Sequence, residues 1–210
     1  MKLTQLSCKD FAHELASRKP VPGGGGAASL TAALGAALNT MVVNYTTGKK
    51  KFIAYEEKYR DIIRRGEILR DNLIELVDKD AENFEPLSKA YALPETTEEE
   101  KREKEEVMQK CLKMACTAPM EILEFTYDSI LLHNELVDIS SKTMISDIGV
   151  GVQCLKSALF SGYLNILINI KSISDKKYVL EIKDRANNIV EDGSRMADEI
   201  YDKVLKIINE

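Results

Sequence analysis

Asp80 stands where an apolar side chain is expected. Phe52, Tyr55, Tyr59, Ile62, Gly66, Leu69, Leu73 and Leu76 follow one another at steps of three and four, the spacing of one helix face. The next step lands on Asp80, and the stripe then continues through Phe84 and Leu87, whereas Asp78 falls off that face. A carboxylate in a bundle core is costly unless it is paired or used. Burial raises its pKa, which suits a general acid or base; the other reading is an Asp that caps or forms an ion pair inside the bundle.

Other residues offer chemistry by type and spacing. Pro22 leads into Gly23, Gly24, Gly25 and Gly26 at the head of an uncharged run. No strand pattern precedes these glycines and no Gly-Lys-Ser/Thr follows at the required spacing, so a nucleotide loop is excluded. What remains is a turn feeding a helix N-terminus, able to hold an anion or a flat ligand, or simply a tight turn with close packing. Asp147 follows Ser146 at a helix start, where Asp also serves as a cap. Asn165 and Asn169 lie four apart on one helix and can bond a ligand, each other or a neighbouring helix. Lys49, Lys50 and Lys51 follow the uncharged run, as a solvated helix end or an anion contact. Cys8, Cys111, Cys116 and Cys154, with His13 and His133, show no metal-ligand spacing, and no metal site is expected.

The elements that must position these residues are helices. The chain has 210 residues, 44% apolar and 30% charged, with 6% aromatics and no Trp. This composition leans helical, and the length suits a single domain over residues 1–210. Ser7 is placed to cap a first short helix that ends before Pro20. Val21 to Gly48 contains no charge. Its polar Ser29, Thr31, Asn39, Thr40 and Asn44, and its many alanines, mark a buried central helix of small residues rather than a membrane span. One long helix is expected from Lys49 to Tyr91, and another after Thr96 or Thr97 with a kink or break at Pro119. A further helix starts at Ser146-Asp147, with the stripe Val152, Leu155, Leu159, Gly162, Ile166, Asn169 and Ile173. A last one is capped by Ser174-Asp175, with the stripe Ile182, Ala186, Ile189, Gly193, Met196, Ile200 and Ile207. The expected fold is all-α: a bundle of about six helices, several long, antiparallel and up-and-down, with apolar stripe left over for a homodimer. The net charge of −5 argues against nucleic acid. Without a signal-type N-terminus, and with thiols expected to be reduced and mostly buried, a cytoplasmic setting is expected.

Six segments, in order, resemble the cyclodeaminase/cyclohydrolase family of folate enzymes. Pro20-Val21-Pro22-Gly23-Gly24-Gly25-Gly26-Ala27-Ala28 is similar to that family's Pro-x-Pro-Gly-Gly-Gly-Ser-x-Ala-Ala. Gly48-Lys49-Lys50-Lys51-Phe52 resembles its Gly-Lys-Lys-Lys-Tyr, and Asp80-Ala81-Glu82-Asn83-Phe84 its Asp-Ala-x-x-Phe. The segments Leu93 to Lys101, Ser146 to Val150 and Asn165 to Asn169 match further blocks. Two departures stand out: Gly26 replaces a common Ser, and Lys142-Thr143-Met144 replaces an Asn-rich stretch.

The resemblance implies an all-helical homodimer acting on tetrahydrofolate one-carbon units, with no cofactor beyond that substrate. One family reaction hydrolyses 5,10-methenyltetrahydrofolate to the 10-formyl form. The other closes 5-formiminotetrahydrofolate to the methenyl form and releases ammonia. Both pass through a tetrahedral carbon bridging N5 and N10. Asp80 and Asp147 are then the catalytic pair, one moving protons and one gripping the pterin's paired donors, with Asp80 favoured for proton transfer. Pro22, Gly23 to Gly26, Asn165 and Asn169 would line the substrate, and Lys49 to Lys51 would meet its glutamate or polyglutamate tail. The chain is expected to be a lone domain, without a fused transferase to deliver a formimino group, so the cyclohydrolase leads and the cyclodeaminase follows. A bundle that binds folate or only oligomerises, without turnover, is the third reading.

Overall fold

A computed structural model describes residues 2–210. Among them are seven α-helices and no strand: α1 (Cys8–Leu15), α2 (Gly24–Thr46), α3 (Glu56–Ala90), α4 (Glu98–Ala115), α5 (Thr117–Val137), α6 (Ile145–Ile170) and α7 (Lys176–Asn209). Six are long. The short α1 is capped by Ser7, which accepts from the Asp10 N–H, and it sends only Phe11 into the core.

The pairs α2–α3, α2–α6, α5–α6 and α6–α7 run antiparallel, and α7 runs parallel to α5. Gly26 and Ser29 of α2 meet Val77 and Leu73 of α3, and Thr40 meets Gly66. Gly24 faces Asn165 of α6, while Gly35 faces Leu155 and Gly151. On α6, Gly162 meets Leu123 of α5, and Gly149 meets Val204 of α7. By length and composition α2 could cross a membrane, yet 61% of its most apolar stretch is buried among the other helices, as expected of a central helix. A Cβ on Gly35 would fall 2.7 Å from Leu155 Cγ and 2.8 Å from the Gly151 carbonyl oxygen. Glycine there sets how closely α2 and α6 approach.

Several boundaries differ from the sequence reading. The long helix begins at Glu56, not Lys49, because Gly48 takes a φ of +78° and Lys50–Tyr55 forms a 3-10 turn. Thr97 and Glu100 close a capping box at the head of α4. The break expected at Pro119 falls at Cys116, which leaves the proline in the first turn of α5, where no N–H is needed. Asp175 caps α7 as expected. The buried seam of α7 runs through Ala186, Val190, Gly193, Ala197, Ile200 and Val204, with Ile182, Ile189, Met196 and Ile207 half-buried beside it. The shift arises because α7 packs against both α5 and α6. All four thiols are free; Cys111 and Cys116 are buried, Cys154 is partly buried, and Cys8 is exposed on the peripheral α1.

His133 lies fully buried where α2, α5 and α6 meet. Its Nδ1 is 2.9 Å from the Ser129 carbonyl oxygen, and its Nε2 has no hydrogen-bond partner among the described residues. Burial pushes its pKa down to about 4, against the hydrogen bond to Ser129, which raises it. The imidazole is therefore neutral in the fold. Between the unfolded pKa of 6.5 and about 4 the unfolded chain binds more protons. Stability from this group is present in full above that window and is lost as pH falls through it, by about 3 kcal/mol. Urea unfolding of His133→Gln is expected to lose this part of the pH slope; an unchanged slope would place the linkage elsewhere.

Candidate active site

The first turn of α2 is built to receive an outside acceptor. Its N-cap is Gly23, which offers no side chain, and the first N–H bonded within the helix is that of Ala27, to Gly23. The N–H groups of Gly24, Gly25 and Gly26 are thus left for other partners. Asp80 comes from α3 to meet them, and its carboxylate accepts from the Gly26 N–H. The approach is close: a Cβ on Gly25 would fall 2.3–2.4 Å from the carboxyl atoms of Asp80. Only glycine leaves room for the carboxyl group against the backbone.

Burial raises the pKa of Asp80 to about 6, and the Gly26 hydrogen bond offsets part of that rise. Among the described residues no Lys or Arg forms an ion pair with it. A carboxyl so tuned exchanges protons near neutral pH, the range in which a general acid or base works.

Asp80 opens onto a cleft of about 130 Å³, walled by the glycine turn, Phe84, Pro119, Asn165, Ile168 and Asn169. Asn169 donates Nδ2–H to the Ala115 carbonyl at 2.9 Å, and Asn165 donates Nδ2–H to the Ser161 carbonyl at 2.8 Å. Each Oδ1 is left without a hydrogen-bond partner among the described residues, and that of Asn165 lies against Gly24. Past Gly24, Asn165 and Ile168 the cleft continues into a groove of about 470 Å³ between α2 and α6. A narrow flat end with acceptors and an acid, leading to a longer open groove, suits a planar polar ring with a tail.

The residues expected from sequence fall into two groups. Gly23, Gly24 and Gly25 share the cleft with Asp80, Asn165 and Asn169. Pro22 and Gly26 are buried just behind, Gly26 against Val77 and Pro22. Asp147 does not join them: it lies in the first turn of α6, 18 residues before Asn165, or about 27 Å along the helix. Lys49, Lys50 and Lys51 are exposed beyond the far end of α2, where Lys49 Nζ reaches Ser141 Oγ at 3.4 Å. An antiparallel α2–α6 pair puts the start of one helix beside the end of the other, so a single chain separates these groups.

The sequence reading missed Phe84, Pro119 and Ile168 as cleft walls. Phe84 was legible, one turn after Asp80 on the same face; Pro119 and Ile168 reach the cleft only through packing of distant helices. Asp78, set aside from the sequence, is in fact buried. Its carboxylate accepts from the Leu3 N–H at 2.5 Å and Thr4 Oγ1 at 2.6 Å, tying the N-terminal turn to α3.

The chain is similar to known proteins in sequence and fold. The profile of the formiminotransferase-cyclodeaminase family matches residues 7–188. A methenyltetrahydrofolate cyclohydrolase from Methylorubrum extorquens is 33% identical over 95% of this chain and 96% of its own length. A formimidoyltransferase-cyclodeaminase from Sus scrofa is 30% identical over 93% of this chain, which spans only 36% of that longer protein. The crystal structure of a formiminotetrahydrofolate cyclodeaminase from Thermotoga maritima superposes with a TM-score of 0.81 at 29% identity, over 99% of this chain and 98% of its own.

Proposed function

The chain belongs to the formiminotransferase-cyclodeaminase family, and from that premise we propose that it hydrolyses 5,10-methenyltetrahydrofolate to 10-formyltetrahydrofolate. It is an enzyme of folate one-carbon metabolism. One observation carries the reaction class: a single carboxyl, unpaired and raised to about 6, set against the N–H groups of a helix start at the head of a narrow cleft. Kinship with a cyclohydrolase over nearly the full length of both chains selects the substrate.

The chemistry follows from the placement. The methenyl carbon between N5 and N10 is an electrophilic, positively charged amidine carbon. Asp80 takes a proton from water as the hydroxyl oxygen adds to that carbon. The resulting tetrahedral carbon then loses its bond to N5 as Asp80 returns a proton to N5, and the carbinol hydroxyl releases its proton to water, so that the carbon remains on N10 as a neutral formyl group. The spare N–H groups of Gly24 and Gly25 face the oxygen that bears developing charge. The Oδ1 atoms of Asn165 and Asn169 accept from the pterin's ring N–H and amino groups.

The first test is decay of the methenyl chromophore with purified protein against a buffer blank. Decay well above the blank, with the 10-formyl product, is expected; no acceleration overturns the cyclohydrolase. Likeness to the Thermotoga maritima cyclodeaminase favours a second reading, ring closure of 5-formiminotetrahydrofolate with loss of ammonia. That reaction makes the chromophore instead of consuming it. For the hydrolysis, turnover is expected to fall as pH drops through about 6, where Asp80 protonates, and an Asp80→Asn variant should lack that limb.

The proposal includes a homodimer, no cofactor beyond the folate substrate, and a cytoplasmic setting, for which four free thiols speak. It also assigns Lys49 to Lys51 to the glutamate or polyglutamate tail. Replacing all three by Ala is expected to weaken polyglutamate binding more than binding of the monoglutamate, and to flatten its salt dependence. Equal affinity for both forms before and after would remove the lysines from the site.

A further inference from the structure

We propose that residues 3–22 form a strap over the substrate cleft, and that Asp78, which pins the outer end of the strap to α3, is a positioning residue that holds the bound ring in place. This rests on the active-site reading above and adds to it the wall that moves.

The strap is fastened at its two ends and only lightly between them. At the outer end the buried Asp78 carboxylate accepts from the Leu3 N–H and from Thr4 Oγ1. A buried carboxylate is costly unless donors meet it, and these two meet it. At the inner end Pro20 and Val21 wall the cleft together with Asp80, and Pro22 is buried behind them. Between Leu6 and Pro20 only Phe11 is buried, and most of α1 faces solvent. Among the described residues, none of the hydrogen bonds or ion pairs of residues 5–19 reaches α2 to α7. A segment held this way opens at low cost, on the nanosecond-to-microsecond scale of loops.

The cleft calls for a wall that gives way. Its volume of about 130 Å³ is under half of the roughly 300 Å³ at which ligand pockets begin. A fused two-ring head with its one-carbon bridge therefore displaces a wall as it enters. The other lining residues stand on helices that pack against one another through the buried core, and Gly23 is fixed as the cap of α2 by the Ala27 N–H. Pro20 and Val21 are the part left to shift. Pro20 and Pro22 fix their own φ and restrict the residue before each, so the link from Lys19 to Pro22 is stiff and carries a displacement of the strap to the wall. The anchor is placed to govern this motion. Val77, Asp78 and Asp80 share one turn of α3: the Val77 carbonyl lies against Gly26, Asp80 accepts from the Gly26 N–H, and Asp78 holds the strap. One turn of α3 thus fixes both the acid and the moving wall.

The test pairs kinetics with hydrogen exchange. Asp78→Ala releases the strap and is expected to raise KM on the order of tenfold, as loss of two hydrogen bonds to a charged group would, with kcat changed less than about twofold. The limb near pH 6 is expected to stay, because Asp80 is untouched. Asp78→Asn keeps an acceptor for the Leu3 N–H and offers Thr4 a donor, so its KM is expected to return close to that of the parent. Thr4→Val removes one of the two bonds at an exposed residue and is expected to give a smaller rise, which keeps the test open should Asp78→Ala not fold. An unchanged KM in the folded variants overturns the proposal, as does a fall in kcat at constant KM. In the parent, saturating tetrahydrofolate is expected to slow amide exchange over residues 3–15, and this protection to be weaker in Asp78→Ala at equal occupancy. Exchange over the strap that ignores the ligand overturns the proposal as well. Tetrahydrofolate that fails to bind the parent in calorimetry instead overturns the active-site reading on which this one rests, so the two failures are told apart.

Discussion

Replacing Asp80 by Asn is expected to lower turnover by about 10²–10⁴-fold while the protein stays folded and still binds substrate. The amide is nearly the same size and can still accept from the Gly26 N–H, so the first turn of α2 keeps its outside partner. What it cannot do is take up and return a proton. Its effect on stability separates a chemical role from an architectural one. The folded pKa of about 6 lies above the ordinary 3.8, so the ionised form opposes folding, and this cost appears as pH rises through that window. At neutral pH a neutral Asn is expected to unfold no earlier than the parent. A variant with wild-type turnover would remove Asp80 from the chemistry, and one that melts early would make it a structural cap.

Gly25→Ala is expected to be the most damaging change of one methyl group in the site. The new Cβ would sit 2.3–2.4 Å from three atoms of the Asp80 carboxyl. That carboxyl is held by a short stem on α3, so it cannot swing clear as the tip of a long side chain does. Either it leaves the Gly26 N–H or the first turn of α2 moves. A loss of about 1–3 kcal/mol in stability is expected for such overpacking, together with at least a tenfold loss in turnover. Gly26→Ala is the stability control, because its Cβ meets nothing closer than 3.6 Å. It is expected to be as stable as the parent or slightly more so, since alanine suits a helix better than glycine. Equal melting of the two variants would show that the close approach at Gly25 is relaxed in solution.

The helices were legible because their signals are local. The caps at Ser7, Thr97 and Asp175 and the apolar stripes could be read from neighbours three or four residues apart, and Asp80 was found as a fault in such a stripe. The seam read from Val152 to Asn169 is buried at every position on α6, whereas Ile173, read as its last member, is buried in the loop past the helix end. Gly48 escaped because a helical stripe continues on both sides of the turn. The offset α7 seam escaped because it reflects two partner helices at once. The order of segments placed Asp147 and the lysines in the site, yet no spacing along the chain says which end of a bundle a residue occupies. Asp78 shows the converse: its partners Leu3 and Thr4 are more than 70 residues away, and no periodicity points to them.

The central position of α2 also bears on how the molecule is made. Its largest contact is with α6, and the last residue of α6 leaves the ribosome about 120 residues after the end of α2. At ordinary rates of synthesis that wait is on the order of 6–25 s. Until α3 is made the helix has no neighbour, and the face that α6 will cover stays open throughout the wait. Its makeup suits the delay: alanine and glycine are poor strand formers and weakly apolar, so the segment offers little to a growing cross-β aggregate. Valine or isoleucine in the same places would fill the finished core as readily in some positions, but would turn the nascent chain into an aggregation hazard. The small residues that let α3 and α6 close around α2 thus also protect the chain before those helices exist.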